Sequence, residues 1–71
     1  MKQNKTKIEI VISEIEQLIK NRSLMPGARL PSVRKLANDL GFSVSTVVEA
    51  YERLIALGKI ESRTGSGFYI V

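Results

Sequence analysis

Cysteine and histidine are both missing from this 71-residue chain. Without cysteine there is no disulfide and no thiolate nucleophile, and without either residue the usual ligands for zinc and other transition metals are gone. The core must therefore hold itself together by packing. Long apolar runs are missing as well: none exceeds a few residues, which excludes a membrane-spanning helix, and no apolar stretch follows the N-terminal lysines as a secretory signal requires. A cytoplasmic protein is the expectation. The length allows one small domain, near the lower limit at which a single core suffices, and leaves no room for a substantial pocket. With no serine in a nucleophile turn beside a base, an enzyme is the least expected class of function.

What is present is positive charge. Eleven Lys and Arg stand against seven Asp and Glu, a net charge of +4, which favours a polyanionic partner without proving one. Its distribution says more than its total. Glu9, Glu14 and Glu16 gather near the N-terminus, whereas Arg34, Lys35, Lys59 and Arg63 flank the stretch from Gly41 to Gly58.

Along the chain, residues 1 to 6 are polar and expected to fray. From about Lys7 to Asn21, Ile8, Val11, Ile12, Ile15, Leu18 and Ile19 recur at three- and four-residue steps, predicting an amphipathic helix. Asn21 to Pro31 is a connector with a turn at Pro26-Gly27, and its apolar Leu24, Met25 and Leu30 are expected to pack. Ser32 is placed to cap a second helix carrying Val33, Leu36, Ala37 and Leu40 on one face, which Gly41 closes. Gly41-Phe42-Ser43 then turns into a third helix, from about Val44 to Leu57. Its wheel turns Val47, Ala50, Leu54 and Leu57 inward with Tyr51 at the edge of the arc, and leaves Val44, Ser45, Val48, Glu52 and Ile55 outside.

Two helices joined by a short glycine-containing turn form the helix-turn-helix pattern. Beyond Gly58 the period changes: Lys59 to Arg63 and Phe68 to Val71 flank the four-residue loop Thr64-Gly65-Ser66-Gly67 and read as a β-hairpin. The expected fold is mainly α with a small β-hairpin, a winged helix-turn-helix of three helices and a two-stranded wing. The loop is not a nucleotide-binding fingerprint, because a strand rather than a helix follows it.

Pro26-Gly27, Leu30-Pro31-Ser32, Arg34, Leu36-Ala37, Leu40-Gly41, Ser43, Thr46-Val47, Ala50-Tyr51, Leu54, Gly58, Arg63, Gly65 and Gly67 stand in an order and spacing that resembles the DNA-binding domain of the GntR family of bacterial transcription regulators. The resemblance covers nearly the whole chain. The run TVVEAYERL followed by ESRTGSGFYI is most similar to the MocR subgroup, with the short YtrA-like subgroup next. Members normally continue past the wing, so residues 1–71 are expected to be an N-terminal DNA-binding domain of a longer regulator. A MocR-like protein would carry pyridoxal phosphate in its C-terminal domain, and no cofactor is expected in this chain. The implied partner is double-stranded DNA, met as a homodimer formed through a further domain or on the DNA itself, and no membrane is implied.

The resemblance makes the third helix the recognition helix and maps DNA contacts onto Ser43, Val44, Ser45, Thr46 and Val48, with Arg34 near the backbone and Arg63, Thr64, Gly65, Ser66 and Gly67 in the wing. Each site has a plainer reading beside it. Ser43 also serves as N-cap, and the wing glycines supply the turn. Arg34 is the exception: a cation in the first turn of a helix opposes the macrodipole, so helix stability does not explain it and a nearby phosphate does. Val44 and Val48 depart from the family pattern, where arginines often read guanine; their methyls suit thymine methyls instead. Glu49 and Glu52 work against a groove-facing helix, unless their places on the second and third turns lift them clear of the groove or Glu52 pairs with Arg53 or a lysine. The competing function is a winged helix that binds another protein through Val44, Val48 and Ile55.

Overall fold

The computed structural model describes residues 6–71; the fraying expected of residues 1 to 5 lies outside the described residues. Thr6 is within them and is anchored. It caps helix α1 (Lys7–Lys20) through a capping box, in which Glu9 N donates to Thr6 Oγ1 at 3.1 Å and Thr6 N donates to Glu9 Oε1 at 2.9 Å. Helices α2 (Val33–Leu40) and α3 (Val44–Ala56) follow, then strands β1 (Ile60–Arg63) and β2 (Gly67–Ile70), which pair antiparallel. The expected winged helix-turn-helix is the observed architecture.

Ser32 caps α2 by accepting from Lys35 N at 3.1 Å. Gly41 ends that helix at φ 71°, where a side chain would be strained, and Phe42 N returns to Ala37 O at 2.9 Å. This sharp stop lets Ser43 start α3 only two residues later. Val11 and Ile15 of α1 join Leu36 and Ala37 of α2, Val47, Ala50, Tyr51 and Leu54 of α3, and Leu30, Ile60 and Ile70 in one buried cluster. Three faces that could not persist alone as short helices are held by that shared burial.

Four expectations change at the level of side chains. Tyr51, placed at the edge of the inward arc, is 1% exposed, whereas Leu57, placed inside it, is 60% exposed. Leu57 still keeps helical dihedrals and donates to Arg53 O at 3.0 Å, but it is the C-cap, one turn past Leu54, the last buried position of α3; beyond it Gly58 N returns to Ile55 O and Lys59 N to Leu54 O. Met25 is exposed at the turn closed by Ala28 N on Met25 O, while Leu24 is half-buried and Leu30 buried as expected. The wing loop is three residues, Thr64 to Ser66, because Ser66 N closes on Arg63 O at 2.9 Å and Gly67 pairs with Arg63 as the first residue of β2.

The connector also contributes more than packing. Arg29 bridges Tyr69, Leu30 N donates to Phe68 O at 2.8 Å, and Ile70 N donates to Ala28 O at 2.9 Å. The stretch from Ala28 to Leu30 thus lies along the free edge of β2 and fixes the wing to the segment leading into α2.

Tyr51 couples the same parts through its side chain. Its hydroxyl donates to Pro31 O at 2.8 Å, one residue before the α2 cap, and its ring meets Phe68 of β2 edge-on at 4.9 Å. Burial pushes the phenol up to about 12 from the usual 10. The folded state therefore holds the proton more tightly than the unfolded state, so this group's contribution is whole below about pH 10 and is lost as pH rises toward 12. Tyr51→Phe should cost about 1 kcal/mol at neutral pH through the lost hydrogen bond, and should flatten the fall in the urea midpoint between about pH 10 and 12. A variant that loses stability with alkali as steeply as the parent would refute this role.

Candidate nucleic-acid interface

The two helix N-termini of the helix-turn-helix differ from that of α1. At the third helical position α1 has Glu9, whereas α2 has Lys35 and α3 has Thr46, and neither α2 nor α3 carries an acidic residue in its first turn. Their positive dipole ends are left unneutralised by the chain itself, which is the electrostatic condition for meeting an anion.

At α3 this end is lined with hydroxyls. Ser43 Oγ accepts from Thr46 N at 3.2 Å and lies 2.8 Å from Thr46 Oγ1 and 3.2 Å from Ser45 Oγ. Ser43 and Ser45 are exposed and Thr46 is half-buried. Capping and an outward hydroxyl cluster coexist here, because Ser43 satisfies the backbone while the neighbouring hydroxyls keep free lone pairs and donors.

Val44, Val48 and Ile55 are 43%, 38% and 37% exposed, as the wheel implied. At 100° per residue they fall on one stripe between Tyr51 and Glu52. Arg53 pairs with Glu49 instead of Glu52, because Glu49 stands four residues before it on the same face: Glu49 Oε2 is 3.1 Å from Arg53 Nη2, and Glu52 is exposed. Both partners of that ion pair lie in the later turns of α3, away from the hydroxyl cluster.

Among the cations, local partners separate the engaged from the available. Lys35 reaches Asp39 at 3.2 Å, Lys59 reaches Glu16 at 3.7 Å, and Arg63 reaches Glu61 at 2.9 Å. Arg34 is exposed in the first turn of α2 and makes no ion pair among the described residues. In the wing, Thr64, Gly65 and Ser66 form the exposed tip, Arg63 ends β1, and Gly67 belongs to β2. The Ser66 hydroxyl and the Tyr69 hydroxyl share a short hydrogen bond that braces the tip.

Arg29 and Tyr69 escaped the sequence reading. Both stand on the wing, yet Arg29 lies in a segment too short to show a period, and its partner is forty residues away. The Leu30-Pro31-Ser32 signature beside Arg29 was the one available pointer.

The family model for bacterial regulatory proteins of the gntR family matches residues 7–70. Among curated relatives, the probable rhizopine catabolism regulatory protein MocR of Rhizobium meliloti is 47% identical over 47 residues, 66% of this chain and 10% of that protein. The HTH-type transcriptional repressor YtrA of Bacillus subtilis is 39% identical over 62 residues, 87% of this chain and 48% of that protein. The chain thus spans less than half the length of either relative. AraR(DBD) in complex with operator ORE1 superposes with a TM-score of 0.92 at 25% identity, over 96% of this chain and 83% of that one. With its fold, its capped helix pair and its wing all matched in a single model, this chain belongs to the gntR family of bacterial regulatory proteins.

Proposed function

We propose that this chain is the sequence-specific DNA-binding domain of a bacterial transcription regulator, without enzymatic activity of its own and working in the cytoplasm. The carrying observation is the hydroxyl-lined, acid-free N-terminus of α3, with the unpaired Arg34 in the first turn of α2. The operator-bound AraR domain, similar in fold, supports that partner. In this reading Ser43, Ser45 and Thr46 meet phosphate or base edges at the mouth of the major groove, and Arg34 positions the domain on the backbone. Val44 and Val48 touch thymine methyls, and the tip Thr64-Gly65-Ser66 reaches the flanking backbone or minor groove. A homodimer, assembled by further sequence or on the DNA, would read paired half-sites.

Arg34→Ala should weaken binding on every duplex alike and lower the salt slope by about one. Val48→Arg should instead shift preference toward guanine-containing sites, by about 1–3 kcal/mol per position read. Selection of bound duplexes from a random pool, with affinities taken at two salt concentrations, measures both. Equal effects of the two changes on all sequences would defeat the division of roles. The exposed Val44, Val48 and Ile55 stripe favours a protein partner as the second reading, and failure to bind any duplex at low salt would select it.

A further inference from the structure

The strand register sorts the wing into two faces. Ile60, Ile70 and Leu30 are buried, so the alternation of an extended chain puts Glu61, Arg63, Tyr69 and Arg29 together on the other face. Two arginines stand there, and they are not equivalent.

Arg63 is answered within the wing. Its Nη2 and Nε both lie 2.9 Å from Glu61 Oε2, and its Cζ sits 4.1 Å over the Tyr69 ring. A phosphate approaching it would also meet the Glu61 carboxylate, which offsets its charge. Arg29 is held differently. Its guanidinium lies across Gly67, where a Cβ would come within 3.1 Å of Nε and 3.3 Å of Nη2. A Cβ there would press the guanidinium aside by a few tenths of an ångström, and no carboxylate reaches Arg29 among the described residues. An exposed guanidinium without a counter-ion, lying against Gly67, the first residue after the wing tip, is suited to accept a phosphate through its planar donors.

We infer that Arg29, and not Arg63, supplies the wing's cationic contact to a DNA phosphate, while Glu61 and Tyr69 hold Arg63 as a brace for the tip. This rests on the DNA-binding reading above. The contact is independent of base identity, so its mark is a salt slope rather than a sequence preference.

The test compares the unsubstituted chain with Arg29→Gln, Arg29→Lys and Arg63→Gln on a random-sequence duplex. Between about 50 and 200 mM salt, loss of one phosphate contact should shrink the fall in affinity by about threefold for Arg29→Gln. Arg29→Lys should restore most of it, and Arg63→Gln should keep the parent slope. Thermal unfolding of each variant separates charge from structure: Arg29→Gln should lose slope without a matching loss of midpoint, and Arg63→Gln, which breaks only an exposed pair, should stay close to the parent in both. A parental slope in Arg29→Gln, or a reduced slope in Arg63→Gln alone, overturns the assignment while leaving DNA binding intact. Absence of salt-dependent binding by the unsubstituted chain overturns both together.

Discussion

Replacing Thr46 with glutamate should make the chain more stable and a far poorer ligand for DNA. Thr6 and Glu9 already show the stabilising arrangement at the start of α1, with the carboxylate reaching back to the cap N–H. Ser43 and Thr46 hold the same two positions in α3, with a hydroxyl where α1 has a carboxylate. Glutamate there completes the capping box and meets the positive end of the helix, a gain of about 0.3–1 kcal/mol. The same carboxylate would face the phosphates that the proposed docking brings to this turn, and like charges so placed cost several kcal/mol, a hundredfold or more in affinity. The opposite signs are the useful part, because damage to the fold cannot imitate them. Urea unfolding and anisotropy titration with a labelled duplex measure the two effects on one sample. Greater stability with undiminished affinity would mean that the α3 N-terminus does not face DNA.

That contrast shows which parts of this protein were legible in its sequence. Caps, stops and helical periods are local codes, and Ser32, Ser43 and Gly41 act as their neighbours imply. The hairpin announced itself through a change of period. What escaped depends on contacts remote in sequence. Tyr51 looked marginal on its own helix because the groups that bury it, the Pro31 carbonyl and the Phe68 ring, come from the other side of the core. Leu57 looked buried because a wheel gives direction but not what lies opposite, and the last buried position of α3 is Leu54, one turn earlier. Arg29 needed the pairing with Tyr69 before it could be placed on the wing at all.

The candidate site was legible in the same graded way. Residue types at the α3 N-terminus could be read directly, since Ser43, Ser45 and Thr46 lie within one turn. Which cations are available could not, because that turns on partners. Lys35, Lys59 and Arg63 each have a carboxylate within 4 Å, and these exposed pairs are worth little to stability. What bears on binding is the carboxylate itself, which offsets the cation's charge and repels an approaching phosphate. Among the described residues, Arg34 and Arg29 have no such carboxylate.

Leu54→Ala should be the most damaging single truncation for the fold. Leu54 is fully buried on α3, in the cluster that α1 and β1 complete with Ile15 and Ile60. Removing its side chain should cost about 2–5 kcal/mol. At about 0.05–0.15 kcal/mol per residue, 71 residues hold roughly 4–11 kcal/mol in all, so the variant would keep little reserve. Leu57→Ala, one turn on and largely exposed, should stay within about 0.5 kcal/mol of the parent, although periodicity alone gave both leucines the same place. Equal losses from the two would contradict the exposure of Leu57. Duplex DNA then separates fold from interface. At about 100 times its Kd it should add roughly 2.7 kcal/mol to parent and Leu54→Ala alike, because a cavity in the core lowers the folded population without altering the surface that binds. A smaller gain in the variant would mean that Leu54 also sets the pose of the recognition helix, so that packing beneath α3 contributes to affinity as well as to stability.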